Sequence, residues 1–371
     1  MRRPVAPWGL LATVTLVALA LTACASGSGS GAPSGTADVT VAPPASFAPT
    51  TVRLLTHDSF AVSDDVLADL AARTGVTVQV VTAGDAGELV NRAVLTAGNP
   101  EGDVLFGLDT TLLSRAVDAE VFAPYRPAAL AEVSPKLREI DTDDAVVPVD
   151  YGDVCVNRDD RWFADRGLVP PATLEQLADP RYRDLLVVEN PATSSPGLAF
   201  LLATVARYGE EGWTGYWERL RANGVRVVNG WTEAYTGEFS GGGGRGTRPL
   251  VVSYASSPPA EIVFAADPKP SAPSTSVLTD GCYRQVEFAG VLRGTDRPEA
   301  ARAVVDWLLS EPFQADVALS MFVFPARDGT ALPEVFTRFA AVPPEPLALA
   351  PEVVAENRDR WVEAWTEVVL R

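Results

Sequence analysis

The sequence predicts a two-lobed α/β fold, each lobe a mostly parallel sheet flanked by helices, with two segments crossing between the lobes. Three observations predict it. Short apolar runs alternate with amphipathic stretches through residues 51–371, the pattern left by helices layered on a sheet. That stretch exceeds what one hydrophobic core ordinarily serves, since domains run to ~50–200 residues. Two extended apolar segments, 146–157 and 285–291, bracket a second α/β unit. The implied organisation places 51–149 together with 285–371 in a first lobe and 150–284 in a second.

The elements follow in order. Residues 1–23 open with Arg2 and Arg3, continue in a nearly unbroken apolar run and end in small residues. The run falls short of the ~20 apolar residues that cross a bilayer, and this order of charge, apolar stretch and small residues reads as an export signal. Leu21-Thr22-Ala23-Cys24 resembles the bacterial lipobox, which implies acylation of Cys24 and anchoring to the outer face of the cell membrane. Residues 24–50 are rich in Gly, Ser, Ala and Pro without hydrophobic periodicity, as a flexible tether is.

A first strand is expected over 52–56. Ser63 reads as the cap of a helix over 64–73 that Gly75 stops. A strand over 76–81, a helix over 85–97 with Leu89, Val90 and Val94 inward, and a strand over 103–108 complete a βαβαβ order, which implies parallel pairing. The second unit offers strands at 185–188, 225–228 and 250–253 and a helix over 197–208. The segment 240–248 carries four consecutive glycines, Gly241 to Gly244. It reads as a mobile loop, because it lacks the Lys-Ser/Thr ending and following helix of a phosphate loop. Helices over 298–309, with Trp307, and over 351–370, with Trp361 and Trp365, close the chain.

Composition removes several function classes. A formal charge of −18, from 30 basic and 48 acidic residues, argues against nucleic acid as a partner. Of three cysteines, Cys24 is taken by the anchor. Cys155, within the first crossing segment, and Cys282, just before the second, form an even remainder that suggests a disulfide in an oxidising compartment. A single histidine, His57, and no Cys/His cluster argue against a zinc site. No cofactor or metal is expected.

Catalysis finds little support, because no Gly-x-Ser-x-Gly elbow gives His57 a serine to activate. Binding finds more. Asn190 to Gly197 stands between a strand and a helix; Pro196 suits a first helical turn, which makes Ser195 the cap and leaves free N–H groups for an anion. Tyr254-Ala255-Ser256-Ser257-Pro258 repeats that logic, and Gly84-Asp85-Ala86-Gly87 opens a helix in the other lobe. Each alone is also what an ordinary capped helix looks like; three together point to a cleft lined by helix starts. Trp231, Tyr254, Phe322 and Phe324 stand near these loops. Ring faces hold a flat heteroaromatic cation at about 0.5–2 kcal/mol per contact, although core packing is an equal reading for any one ring.

These residues resemble the thiamine-binding proteins of bacterial ABC importers, over most of 52–371. Thr56-His57-Asp58-Ser59-Phe60 resembles the family's Thr-Tyr-Asp-Ser-Phe, Gly107-Leu108-Asp109 its Gly-Leu-Asp, and Val149-Asp150-Tyr151-Gly152 its Phe-Asp-Tyr-Gly. Thr193-Ser194-Ser195-Pro196-Gly197 resembles Thr-Ser-Thr-Pro-Gly. Gly230-Trp231-Thr232-Glu233-Ala234-Tyr235 is similar to Gly-Trp-Ser-Glu-Ala-Tyr, and Ser253 to Pro258 to Ser-Tyr-Thr-Thr-Ser-Pro. The resemblance implies a type II periplasmic-binding fold that closes on its ligand, working as a monomer with an ABC permease. It implies that Ser194 and Ser195 face a phosphate, that Trp231 stacks, that Tyr254, Ala255, Ser256 and Ser257 line the ligand, and that Asp85 and Ala86 contact it. His57, Asp109, Tyr151 and Phe322 are further candidates. His57 replaces a family tyrosine, Phe322 a tryptophan and Ala260 a tyrosine, so the aromatic enclosure is built differently. A protonated His57 would repel a thiazolium, which implies a neutral ring.

Two rival readings keep the fold. One is an enzyme resembling thiaminase I, with Cys155 as a nucleophilic thiolate. The other is a binder of a polyamine, a phosphonate or ferric iron, the last requiring a tyrosine and carboxylate cluster that Tyr254 alone does not make.

Overall fold

The computed structural model of the protein describes residues 46–140 and 142–371. The expected export segment, Cys24 and the tether up to residue 45 lie outside the described residues. The first unit forms as expected. Strand β1 (Thr50–Thr56) buries Val52, Leu54 and Leu55 and leads into helix α1 (Asp64–Thr74), which ends at Gly75 in the left-handed region, φ 77°. Strand β2 (Val76–Thr82), helix α2 (Ala86–Leu95) and strand β3 (Val104–Asp109) follow, and β1 pairs parallel with both other strands. A short strand β4 (Phe122–Ala123) then precedes β5 (Val147–Asp159).

The second parallel set is β6 (Leu186–Glu189), β7 (Arg226–Val228) and β8 (Leu250–Tyr254), with β6 pairing parallel to both neighbours. Helix α3 (Ser195–Ala222) between them is more than twice the length read from the sequence and breaks at Gly209, where φ 70° and ψ 174° are not helical. Its second half went unread because Gly209, Gly212 and Gly215 interrupt it. Trp213, Tyr216 and Trp217 bury that half all the same, so packing overrides propensity. Ser194, rather than Ser195, is the cap, its hydroxyl accepting from Gly197 N–H at 3.5 Å. The turn after β8 runs into a single-turn helix, α4 (Pro259–Val263).

Strand β9 (Thr275–Leu292) completes the frame. It begins ten residues earlier than the second crossing segment predicted, because Asp280-Gly281 reads as a turn. Gly281 does adopt φ 80°, but the chain bulges there and stays in the strand: pairing with β5 jumps from Val154↔Tyr283 to Val156↔Leu278. Cys155 and Cys282 sit at this bulge as a disulfide, with S–S 2.06 Å and Cα–Cα 4.3 Å. β5 and β9 run antiparallel along one another, and each also pairs with one of the parallel sets. One sheet therefore has the order β2-β1-β3-β9-β5-β8-β6-β7, with β4 beside β9 and β10 (Phe324–Pro325) beside β5.

Helices α5 (Pro298–Leu308) and α6 (Glu311–Ser320) lead up to β10, and α7 (Pro351–Leu370) ends the chain. Trp361 and Trp365 of α7 are buried against α3, Trp365 edge-on to Trp217 at 5.4 Å. No helix among the described residues is long and apolar enough to cross a membrane.

Candidate functional site

A cavity of about 370 Å³ opens where the ends of the two parallel sets meet the paired long strands. Volumes of this order hold small organic ligands. Residues from both sets line it. Asp85 caps α2, accepting from Ala86 N–H at 2.6 Å, and its carboxylate then reaches across to the other set. It accepts from Trp231 N–H at 2.9 Å and from Ser195 N–H at 3.3 Å. Burial raises the Asp85 carboxyl above its usual range, against the pull of those N–H donors. The approach is close. Gly87 lies against the Thr193 backbone, where a Cβ would come within 2.5 Å of the carbonyl, and Glu88 N–H donates to Thr193 O at 3.2 Å.

The aromatic wall is fixed from behind. Trp231 is half-buried and stacks on Tyr235, ring centroids 5.0 Å apart and planes 15° apart. Its indole N–H donates to Ser253 Oγ at 2.8 Å, and that hydroxyl lies 3.0 Å from Ser257 Oγ. One indole face is thereby covered and the ring held in place. At the mouth, Phe322 meets Phe264 at 5.5 Å and 61°. Phe264 is 74 % exposed and projects from the turn after α4, four residues beyond Ala260.

His57 follows β1 and faces Glu287 of β9, Nε2 lying 3.5 Å from Oε1. Its Nδ1 accepts from Ser59 N–H at 3.2 Å, a contact that favours the neutral ring. Burial resists charging this ring. The hydrogen bond and charge of Glu287, with the fields of Asp85 and Asp58, outweigh that resistance and raise its pKa above the ordinary histidine value. One backbone donor thus favours the neutral ring, and the nearby carboxylates favour the charged one. Gly107 leaves the ring its room: φ is 100°, and a Cβ there would fall 2.2 Å from His57 Cδ2.

The structure brings together Asp85, Ala86, Ser195, Trp231, Tyr254, Ser257, His57 and Phe322 around this cavity. Other candidates stand behind its wall. Ser194 is 1 % exposed and engaged as a cap. Ala255 and Ser256 are buried, Ala255 tied through its backbone to Asp153 and Ala341. Asp109 is buried, accepts from Thr111 and Gln285, and has its carboxyl pushed up to about 6 by burial. Tyr151 faces elsewhere: it stacks on Phe324 at 5.2 Å and carries Arg284 over its ring at 5.0 Å, beside a second cavity of about 330 Å³. The strand pairing of Phe324 with Tyr151 takes both rings away from the first cavity.

Tyr235, Phe264 and Glu287 line the first cavity but were not singled out from the sequence. Tyr235 was legible as the residue four beyond Trp231. Glu287 was legible as the one acid within the apolar segment 285–291. Phe264 left no signal.

A single sheet of two parallel sets sharing two long strands, with a lined cavity where they meet, is the architecture of a solute receptor. The chain belongs to the bacterial extracellular solute-binding proteins, whose family pattern matches residues 99–341. The thiamine-binding periplasmic protein of Salmonella typhimurium is 30% identical over 330 residues, spanning 88% of this chain and 95% of that one. Its counterpart in Escherichia coli is 30% identical over 329 residues, with the same coverage. A solved periplasmic thiamin binding protein superposes with a TM-score of 0.75 at 28% identity, covering 86% of this chain and 96% of that one. Iron-bound HitA from Pseudomonas aeruginosa shares the fold, with a TM-score of 0.67 at 19% identity and coverage of 86% and 99%. The fold is the type II periplasmic-binding architecture.

Proposed function

We propose that this solute-binding protein captures thiamine or a thiamine phosphate outside the cytoplasmic membrane, held there by a lipidated Cys24, and delivers it to an ABC permease. In this reading it works as a monomer and performs no chemistry on its ligand. The two lobes, 51–149 with 285–371 and 150–284, close on the ligand from either side. The observation that carries the assignment is the pairing of an immobilised indole with carboxylates. Trp231 is backed by Tyr235 and pinned by Ser253, while Asp58, Asp85 and Glu287 line the same space. A planar heteroaromatic cation satisfies both features, because ring faces and carboxylates each attract it. The similarity to thiamine-binding periplasmic proteins over most of the chain supports the same ligand. The enzyme alternative loses its nucleophile, since Cys155 is bonded to Cys282.

The acidic lining also suits a polyamine, so spermidine is the informative competitor. Titration calorimetry of the purified protein with thiamine, its mono- and diphosphates and spermidine should give heat with the thiamine compounds and weaker or no heat with spermidine. Trp231→Ala should weaken thiamine at least about tenfold, as loss of a desolvated stacking contact implies. No heat with any thiamine compound would overturn the assignment.

A further inference from the structure

We propose that Phe264 is a ligand-binding residue, an aromatic jaw that closes with Phe322 over a flat ring of the ligand at the mouth of the cavity. The inference rests on the thiamine assignment above and adds to it a contact that neither the helix starts nor Trp231 supplies.

Phe264 stands at the C-terminal end of α4, and it is held by its backbone. Its N–H donates to Ala260 O at 2.9 Å. Lys269 Nζ donates to Val263 O at 3.0 Å, and the Glu261 carboxylate accepts from Ser274 N–H and Ser274 Oγ, each at 2.8 Å. The turn that carries the ring is therefore tied down, while the ring is 74 % exposed and lines the cavity. A single exposed apolar side chain is ordinary on a protein surface. This one is set apart by its place at the mouth and by what it meets there. Its ring neighbour is Phe322, at 5.5 Å and 61°, the edge-to-face arrangement that aromatic pairs favour. Ala260, four residues earlier and also on the cavity, is too small to stop the ring from folding inward.

Phe322 is the fixed half of the pair. It lies between α6 and β10 and packs against the buried cluster of Ala318, Phe324 and Phe336. Its φ of 56° is in the left-handed region, which residues with a Cβ seldom occupy. Such a conformation persists where the surroundings over-determine it, and it recurs at ligand clamps. In the lobe division proposed above, Phe264 belongs to 150–284 and Phe322 to the other lobe, so closure changes the gap between them. A flat ring held in the cavity takes Phe264 out of water. The apolar burial that folding leaves unused at this position is then gained on binding.

The experiment measures thiamine affinity by calorimetry and dissociation by stopped flow for the full-length protein, Phe264→Ala and Phe264→Trp. Phe264→Ala should weaken thiamine roughly three- to tenfold, as loss of one aromatic contact implies, with most of the change in the dissociation rate. Phe264→Trp should keep the wild-type affinity, because it restores a ring face. The ligand-free melting temperature of Phe264→Ala should stay within about 2 °C of the wild type, since the side chain it removes is exposed. Combined with Phe322→Ala, the double variant should lose less than the product of the two single losses, because the rings act together. Wild-type affinity and dissociation rate in Phe264→Ala would overturn the proposal and leave thiamine recognition standing. A weakened affinity matched by a lower ligand-free melting temperature would mark a structural residue and overturn it as well. Losses that multiply in the double variant would refute the paired closure. Failure of the wild-type protein to bind any thiamine compound would remove the ligand assignment on which the proposal rests.

Discussion

A hydrogen bond from Ser59 N–H to Nδ1 at 3.2 Å favours the neutral form of His57. Burial opposes its charging, but Glu287, Asp85 and Asp58 together shift the balance and raise its pKa. A bound cation reverses that sum, because a second positive charge beside it makes imidazolium less favourable. The free protein therefore takes up a proton at His57 more readily than the complex does, and binding releases that proton. By linkage, affinity for thiamine should be highest above the raised His57 pKa and fall as pH drops through it. Calorimetry from about pH 8 down to about pH 5.5, repeated in buffers of different ionisation heat, would show both the loss and the released proton. His57→Gln should flatten the profile. Part of the cavity lining was legible: Trp231, Asp85, Tyr254 and Ser257 stood out because tight turns and capping residues leave local marks, whereas Ala255 and Ser256 lie behind the wall. The direction of a side chain in a strand leaves a weaker mark. Tyr151 and Phe324 look like ligand aromatics in sequence, yet their cross-strand pairing sends them to another face.

At the scale of elements, the paired strands β5 and β9 carry the architecture. β9 pairs antiparallel with the first parallel set and β5 with the second, so together they join the two sets into one sheet. Their disulfide closes a loop with a sequence separation of 127 residues, and in the chain-entropy account a loop of that size limits the unfolded ensemble considerably. Replacing both cysteines by alanine should cost about 2–5 kcal/mol of stability, read as a lower urea midpoint. Thiamine affinity should hold at temperatures where the variant stays folded, because neither cysteine lines the cavity. The first parallel set was fully legible, since alternating short strands and capped helices dominate it. The early part of β9 was not. Its Asp280-Gly281 pair carries turn chemistry, and only pairing with β5 absorbs it as a bulge.

At the scale of the whole molecule, the layered pattern and the two crossing segments already outlined the fold. Helix α3 shows where local reading stops: glycines spell interruption, while three buried aromatic side chains hold the second half helical. The loop closed by Cys155 and Cys282 also encloses β6, β7, β8 and the Gly241 to Gly244 run. Arg245, just after that run, is exposed, and exposed small-residue turns are favoured places for proteolytic nicking. A tryptic cut after Arg245 would leave Cys155 on the amino-terminal fragment and Cys282 on the carboxy-terminal one. The nicked chain should then migrate as a single band on a gel run without reductant and as two bands once dithiothreitol is added.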